Sequence, residues 1–455
     1  MSGTSHRKEA QVKGLARPPL RHPADRAILR LAVPALGALI AEPLFLLADS
    51  AIVARLGVAQ LAGLGVAGVA LVTLVNLCVF LAYGTTAAVA RRVGAGDLRG
   101  ALAQGIDGLW LAAGLGLVVL IAGQPLASTV VDAFGTSAEV TPYAITYLRV
   151  SLLGIPAMLL VLAASGVLRG LQDTRTPLVV AVAAAAVNLA LDVLFVPVLG
   201  FGIAGSAWAT VLAQTGAAAA YLAMVVRGAR RHEASLKPDL PGIRTAARAG
   251  GHLVVRTLSL RVVLVAATAV ATRIGDAELA AYQVAFAVWS LLALALDAIA
   301  IAGQAIVGLR LGAADVPGAR AATRRMIEWG VAAGVVTGVL VVALRPAYVP
   351  LLVPDPRVQE LLAAALIVVA VLQPVAGVVF VLDGVLIGAG DARYLAAAGV
   401  LTVVAFLPAA WAVLAFGGGL VALWWALGVW MIVRLAVLGV RASGDAWLVT
   451  GAVRR

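Results

Sequence analysis

The sequence predicts an all-α membrane protein with twelve transmembrane helices in two six-helix lobes, related by a pseudo-two-fold axis along the membrane normal. Three observations predict this fold. Of the 455 residues, 62% are hydrophobic and only 12% are charged, which is typical of a chain that faces lipid. Twelve apolar segments are long enough to cross a hydrocarbon core of about 30 Å. The two halves of the chain also repeat one another.

The apolar segments are separated by short polar breaks. They run Ala27–Leu56, Ala59–Val93, Gly100–Phe134, Thr141–Leu171, Thr176–Leu199, Ile203–Arg227, Thr245–Ile274, Leu279–Leu309, Ala321–Leu344, Val358–Ile387, Arg393–Phe416 and Leu420–Val440. The longest break, 228–244, divides them six and six. We therefore predict a disordered basic tail at 1–26, an N-terminal lobe at 27–227, a linker at 228–244, a C-terminal lobe at 245–442 and a tail at 443–455.

The internal repeat has a constant offset of 218 residues. Three pairs of segments match at this offset: 55–62 with 273–280, 92–101 with 310–319, and 166–175 with 384–393. Because six spans is an even number, both halves enter the membrane in the same direction. A parallel repeat of this kind is typical of transporters that rock two bundles about a central site.

The distribution of basic residues predicts the orientation. The formal net charge is +12, and most of the 34 Lys and Arg residues fall in one alternate set of loops and in the termini. The opposite loops contain only Arg55, Arg273, Arg345 and Arg357. By the positive-inside rule, both termini lie in the cytoplasm and the chain is a multi-pass protein of the cell inner (plasma) membrane. The basic excess is therefore expected to contact anionic lipids and not nucleic acid.

Other functional classes lack their motifs. Cys78 is the only cysteine, and the four histidines are scattered, so we expect no metal site. No phosphate-binding loop and no paired nucleophile and base are present, so we expect neither a cofactor nor an enzyme. A receptor would not need a duplicated body. An ion gradient, of H⁺ or Na⁺, remains as the energy source.

The first span has an unusual polar content. It contains Pro34, Glu42, Pro43 and Asp49, although an acid in mid-bilayer is costly. Glu42 and Asp49 are seven residues apart and share a helical face, with Pro43 inviting a bend between them. We interpret Asp49 as a titrating group in a cavity that water can reach. The alternative is a buried acid in a static hydrogen-bonded network.

Further polar residues lie in the fifth and sixth spans. Asn188 and Asp192 are one turn apart, Thr210 follows in the next span, and Tyr147 lies in the fourth. At the repeat offset Asp49, Asn188 and Asp192 correspond to Ala267, Phe406 and Ala410. If a bundle brings Asp49 and Asp192 together, both cannot ionise cheaply, so the pair suits a proton. The same oxygens suit Na⁺, with Asn188 and Thr210 as neutral ligands.

Acids that the repeat conserves have a structural interpretation. Asp97 matches Asp315, and Asp173 matches Asp391, all beside loops, where a short acid caps a helix. In the C-terminal lobe, charges within lipid should pair. We predict an ion pair of Asp297 with Arg256, or alternatively with Arg261, and a cavity-lining role for Asp383 that would contact cationic substrate.

Several motifs resemble one known family. Five segments are similar to the multidrug and toxic compound extrusion (MATE) family. They are the first-span segment from Pro43 through Asp49 to Gly57, the loops at 92–97 and 169–177, and the segments 188–192 and 202–210. The similarity is to its DNA-damage-inducible protein F-like branch, and it covers nearly the whole chain. Glu42 departs from the pattern, which has a neutral residue there; it is either a second titrating group or a residue near the outer mouth.

The resemblance implies a function. It implies a secondary active multidrug efflux antiporter that exports hydrophobic or cationic small molecules in exchange for H⁺ or Na⁺. It also implies that Asp49, Asn188, Asp192 and Thr210 form the cation site of the N-terminal lobe, with Tyr147 nearby. Cavity candidates are Glu42, Pro34 and Asp383. The alternative within transporters is a flippase for lipid-linked or polysaccharide precursors, which usually has a more basic cavity. Nothing demands more than a monomer.

Overall fold

The computed structural model describes residues 23–454, so most of the predicted basic tail lies outside the described residues. This part of the chain is helical apart from short connections and the final segment 444–454. The helices are α1 Pro23–Val53, α2 Val58–Leu77, α3 Phe80–Gly94, α4 Leu98–Asp132, α5 Thr141–Leu153, α6 Ile155–Gly170, α7 Arg175–Val193, α8 Gly202–Arg231, α9 Leu240–Ile274, α10 Asp276–Gly312, α11 Val316–Leu352, α12 Pro356–Gly388, α13 Ala392–Ala415 and α14 Leu420–Ser443. A π-helical segment, Leu194–Val198, continues α7.

These helices form twelve spans, as the sequence predicts. Eleven spans in the described residues are long and apolar enough to cross a membrane, one of them made of α2 and α3 together. The twelfth is the pair α5 and α6, which bend by 50° at Gly154. Pro156 follows this break at the start of α6, where a proline fits without loss of a helical hydrogen bond.

The repeat is visible in the helix boundaries. Helices α2 and α10, α4 and α11, and α8 and α14 begin 218 residues apart, at Val58 and Asp276, Leu98 and Val316, and Gly202 and Leu420. The turns before α4 and α11 also match. Asp97 Oδ1 accepts a hydrogen bond from the Gly100 amide at 2.7 Å, and Asp315 Oδ1 accepts one from the Gly318 amide at 2.8 Å. The predicted helix caps are therefore confirmed for both acids.

The other matched acids differ from one another. Asp173 Oδ1 accepts hydrogen bonds from the amides of Arg175 and Thr176, both at 3.0 Å, and so caps α7. Asp391 makes no such cap with its side chain. Its carboxylate pairs instead with Arg441 at 2.7 Å and Arg454 at 2.9 Å. The predicted cap at Asp391 is wrong, because two arginines of the C-terminal region occupy both of its oxygens.

Each lobe has its own apolar core. One core joins the helices α2 to α8 and the other joins α9 to α14. The beginning of α1 belongs to the second core, where Ile28, Leu31 and Ala32 are buried. Because the spans alternate in direction, the start of α1, the end of α14 and the Arg-rich loops lie at one end of the bundle. We call this the basic end.

The lobes pack tightly against each other at the basic end. There α3 and α10 approach so closely that a Cβ added to Gly94 would lie 1.9 Å from the Leu309 carbonyl oxygen. A Cβ on Gly312 would lie 1.9 Å from the Arg91 carbonyl oxygen. The Gln172 side chain also donates a hydrogen bond to the Ala305 carbonyl at 2.9 Å. Only glycine allows these two helices such a close approach.

The first helix is tied to the other lobe at the same end. Arg325 of α11 donates hydrogen bonds to both carboxylate oxygens of Asp25, at 2.6 and 2.9 Å. The Trp329 indole donates a further bond to Asp25 at 2.8 Å. This bidentate geometry is specific to arginine and fixes the start of α1 against α11.

The connection between the lobes is shorter than predicted and is held in place. Helix α8 ends at Arg231 and α9 begins at Leu240. The Asp239 amide donates a hydrogen bond to Asp107 Oδ1 of α4 at 3.0 Å. The Trp110 indole, also on α4, donates one to the Leu236 carbonyl at 3.1 Å. The linker therefore lies against the N-terminal lobe.

Candidate cation site in the N-terminal lobe

Three helices bring the predicted polar residues together. Asp49 lies on α1 and is 2% exposed, and Asn188 and Asp192 lie on α7 and are 2% and 0% exposed. Thr210 lies on α8, which packs against α7 and against α5. Each of these side chains interrupts a stretch of Ala, Val and Leu, so the helices that carry them are otherwise apolar. We call this group the N-lobe cluster.

Two hydrogen bonds organise the N-lobe cluster. The Asn188 amide nitrogen Nδ2 donates to Thr210 Oγ1 at 3.1 Å. The Ser206 hydroxyl donates to Asp49 Oδ1 at 2.5 Å. Ser206 is one turn before Thr210 on α8, so one face of this helix supplies a partner to both α1 and α7.

Several oxygen atoms of the cluster have no hydrogen-bond partner. Within residues 23–454, this holds for Asn188 Oδ1 and for both carboxylate oxygens of Asp192, all of which are buried. Buried polar atoms are nearly always paired, so three unpaired oxygens in one place require an explanation. Amide and carboxylate oxygens are the ligands that hard cations prefer, and a proton on Asp192 would also relieve the carboxylate.

Tyr147 and Ser206 complete the surroundings of Asp49. The buried Tyr147 hydroxyl of α5 lies beside Asp49, Ser206 and Thr210. The position of Tyr147 agrees with the sequence prediction. Ser206 was not predicted, although its spacing of four residues from Thr210 is a signal that could have found it.

The π-helical segment begins two residues after Asp192. In it, the Leu199 amide donates to the Leu194 carbonyl at 2.9 Å, and Pro197 lies inside the wide turn. Single π turns are frequent at functional sites, because they change the direction in which a helix presents its side chains. Here the π turn closes α7 immediately beyond the cluster.

Glu42 and Pro34 lie outside the N-lobe cluster. Glu42 is exposed, and Pro34 is half-buried nearer the start of α1. The helix continues through Pro34 and Pro43 without a break. Glu42 and Asp49 share a face by their spacing, yet the neighbouring helices cover only the Asp49 turn.

The charged residues of the C-terminal lobe form a different pair from the one predicted. Arg256 donates a hydrogen bond to Asp383 Oδ2, and Arg434 of α14 donates to the same oxygen at 3.0 Å. The predicted Arg256–Asp297 pair is therefore wrong. Asp383 does line a small cavity, but the two arginines line it too, so Asp383 is a buried ion-pair partner and not a free acid there. The sequence did not indicate Arg434, because α14 is distant in the chain and the pairing depends on the rotation of the helices.

Asp297 is half-buried on α10 in the same region. Its charge acts on Arg256 of its own lobe and on Arg169 of α6 in the other lobe. Among the described residues it makes no ion pair within 4.0 Å, and Arg261 makes none either. Within residues 23–454, no group of three or more His, Cys, Asp or Glu side chains could hold a metal ion.

Comparison with known proteins decides the family. The family model named MatE matches residues 34–194 and 253–412, which is one match in each lobe. The chain belongs to the MATE family. In this MATE chain the first match runs from α1 to α7 and the second from α9 to α13, so each covers most of one copy of the repeat. Members of this family are transporters and not enzymes.

The MATE relatives cover nearly the whole chain. The protein DETOXIFICATION 44, chloroplastic, of Arabidopsis thaliana is 31% identical over 90% of this chain and 80% of its own length. The DNA damage-inducible protein F of Escherichia coli (strain K12) is 30% identical over 90% of each chain. The branch suggested by the sequence motifs is thus represented among the relatives of this MATE protein.

Solved structures share the two-lobe fold. An outward-facing multidrug resistance MATE family transporter of the MOP superfamily superposes with a TM-score of 0.85 at 23% identity, covering 93% of this chain and 97% of its own. A MOP superfamily transporter from Pyrococcus furiosus gives a TM-score of 0.84 at 22% identity over the same shares. At these identities the likeness shows the fold alone.

Proposed function

We propose that this MATE transporter is a secondary active efflux antiporter. It exports hydrophobic or cationic small molecules in exchange for H⁺, or alternatively Na⁺. It works as a monomer in the inner (plasma) membrane with its basic end in the cytoplasm. The distribution of Arg and Lys supports this orientation. Two lobes with separate cores support rocking about a site between them.

The observation that carries the proposal is the state of Asp192. Its carboxylate is fully buried, both oxygens have no hydrogen-bond partner in the described residues, and Asp49 lies nearby. An unpaired buried carboxylate is stabilised by binding a proton or a small cation. The Asn188 carbonyl oxygen, also without a partner, supplies a neutral ligand for the Na⁺ alternative.

The cycle follows from these groups. A cation from outside binds Asp49 and Asp192 when the end opposite the basic end is open, and it lowers the affinity for substrate. The lobes then rock so that the basic end opens and the cation leaves toward the cytoplasm. Pro34 and Pro43 let α1 adjust between the two arrangements, because neither supplies a helical amide donor.

The test is efflux from liposomes that contain the purified protein. A pH gradient and a Na⁺ gradient are applied separately, and export of a fluorescent organic cation is measured. We expect Asp192→Asn and Asp49→Asn to reduce gradient-driven export by about tenfold or more, as is typical when the group that carries coupling is lost. The gradient that drives the intact protein identifies the ion.

The matched control is Asp132→Asn. Asp132 is an exposed acid at the end of α4, so this change removes the same charge away from the cluster. Export should be unchanged in that variant, and all variants should elute alike on gel filtration. Full gradient-driven export by Asp192→Asn and Asp49→Asn would remove the cluster from the mechanism.

A further inference from the structure

Arg91, near the end of α3, is a charged side chain of the N-terminal lobe that is buried in the other lobe. The residue is 3% exposed, and no carboxylate pairs with it in the described part of the chain. Its guanidinium donates to the Val449 carbonyl at 2.9 Å, to the Gly451 carbonyl at 3.2 Å and to the Ala389 carbonyl at 3.5 Å. Three main-chain oxygens of the C-terminal lobe and its tail therefore enclose one arginine.

The segment after α14, residues 444–454, supplies two of these carbonyls. We call it the tail strap. Trp447 is 1% exposed, and its indole donates to the Ala442 carbonyl at 3.0 Å. Arg454 binds the Ala389 carbonyl at 3.0 Å and the Asp391 carboxylate at 2.9 Å. The tail strap is thus fixed to the C-terminal lobe by contacts that do not involve Arg91.

The tail strap lies directly at the seal between the lobes. The Gly451 amide donates to the Leu311 carbonyl of α10 at 3.0 Å. Leu311 precedes Gly312, whose backbone touches that of Arg91 itself. Separating α3 from α10 at the basic end would therefore draw Arg91 away from the carbonyls that bind it.

The internal repeat indicates that the helix end at α3 does not itself require Arg91. Its neighbour Arg92 corresponds to Arg310, and each pairs with the acid of its own loop, at 3.1 and 2.8 Å. Arg91 corresponds to Leu309. The repeated turn therefore forms without an arginine at this position. Only the N-terminal copy has an arginine there, and only that copy contacts the tail strap, which suggests that Arg91 is present for this contact.

We propose that the tail strap and Arg91 form a latch that holds the basic end closed and so prolongs the state open at the other end. The latch rests on the proposed rocking of the lobes but not on the coupling ion or the substrate. Opening the basic end exchanges several charge-assisted hydrogen bonds of Arg91 for bonds with water. The latch therefore biases the equilibrium between the two arrangements, and removing it shifts that equilibrium toward the arrangement open at the basic end.

The test measures the distance between the lobes at the basic end. Arg230→Cys on α8 and Arg324→Cys on α11, both at exposed positions, carry the spin labels. The native Cys78 is changed to serine (Cys78→Ser) so that it is not labelled. Distances are recorded by double electron–electron resonance in nanodiscs without substrate or gradient. The variants are Arg91→Gln, a chain that ends at Ser443, and the two combined. The matched control is Arg92→Gln, which loses only the pair with Asp97.

We expect the open basic end to gain about tenfold in population relative to the closed one in Arg91→Gln and in the shortened chain, and to stay unchanged in Arg92→Gln. The combined variant should shift little further than Arg91→Gln, because the shortened chain leaves Arg91 only its long bond to the Ala389 carbonyl. Arg91→Lys, which keeps the charge but not the planar fork, should shift less than Arg91→Gln.

A purely structural role gives a different result. Arg91→Gln would then lower the unfolding temperature while the distance distribution stayed that of the intact protein, and the latch would be rejected. Should Arg91→Gln not fold, the shortened chain and Arg91→Lys decide the same question, and an unchanged distribution in both overturns it. Because no gradient is present, a shift in distances supports the latch even if the coupling proposal fails.

Discussion

The two lobes place different chemistry at the same positions of the repeat. In the N-terminal lobe Asp49, Asn188 and Ser206 form a buried polar cluster. The corresponding residues of the C-terminal lobe are Ala267, Phe406 and Trp424, which are equally buried and lie in an apolar core. The Trp424 ring also packs against Tyr282 and Trp289, with ring centroids 6.0 Å apart in each case.

The difference shows how a duplicated body can assign separate tasks to its copies. One copy fills the position with aromatic and small side chains and is stabilised by their packing. The other copy gives up that packing for oxygens that have no partner in the described residues. The C-terminal lobe has charges too, but Asp383 is held between Arg256 and Arg434 and is thus neutralised by the protein itself. Among residues 23–454, buried carboxylate oxygens without a hydrogen-bond partner occur only at Asp192, in the N-terminal lobe.

The largest effect should come from truncating the aromatic core of the C-terminal lobe. Phe406 is fully buried, so Phe406→Ala should lower the free energy of unfolding by about 3–5 kcal/mol through lost contacts and a cavity. Asn188→Ala, at the corresponding position, should destabilise the fold much less while abolishing export. Thermal unfolding in detergent and liposome efflux measure the two effects. Equal destabilisation by both changes would contradict the assignment of tasks.

Adding an acid to the C-terminal lobe and removing one from the N-terminal lobe should have opposite effects on stability. Ala267→Asp places an unpaired carboxylate in an apolar core and should cost about 2.5–3.5 kcal/mol. Asp49→Ala removes a buried carboxylate that accepts a hydrogen bond from Ser206, and it should leave stability unchanged or raise it while transport is lost. The yield of folded protein and the unfolding temperature are the measurements. A well-folded Ala267→Asp variant would mean that the C-terminal lobe tolerates a cation site.

Ser206→Ala should have a moderate effect on transport and little effect on folding. The hydroxyl donates to Asp49 and so stabilises its charged form, which means that the variant should bind a proton more readily. We expect the pH midpoint of export to move to higher pH, with maximal export retained. A pH series of liposome efflux measures this shift, with Ser165→Ala as the control at a buried serine outside the cluster. An unchanged midpoint would argue that Asp49 does not titrate during the cycle.

The smallest effect should come from the caps that both lobes share. The hydrogen bond from the Gly318 amide, and next the hydrogen bond and charge of Arg310, hold the pKa of the half-buried Asp315 carboxyl below its ordinary value of 3.8. A lowered pKa contributes stability at neutral pH that is lost as the pH falls through it. Asp315→Ala should therefore lower the unfolding temperature slightly at pH 7, and the difference should disappear in the range below pH 3.8. Asp97→Ala should match it at pH 7, and a clear inequality would show that the repeat is not equivalent there.

Much of the fold follows from local sequence, whereas the partners of buried charges do not. The apolar spans, the constant offset and the caps at Asp97 and Asp315 depend on residues close in the chain. Asn188 and Asp192 were found because a spacing of four residues puts both on one helical face. By contrast, the choice of Asp383 over Asp297 as the partner of Arg256 depends on how α9, α12 and α14 are rotated in the bundle. No sequence pattern fixes that rotation.

The same limit applies to segments without periodicity. The residues after Ser443 have no apolar repeat and read as a simple tail, yet Trp447 and Arg454 fix them to the C-terminal lobe. Arg91 read as one of many basic residues near a loop. Its role depends on backbone carbonyls, which every residue carries and which no motif can mark.

The fastening of the linker to α4 has a consequence for how the protein can be made. Because Asp107 and Trp110 bind the chain on either side of Lys237, the second half starts from a fixed point on the first half. If the chain is divided at Lys237 and the two fragments are produced together, the fragments should associate and form an intact transporter.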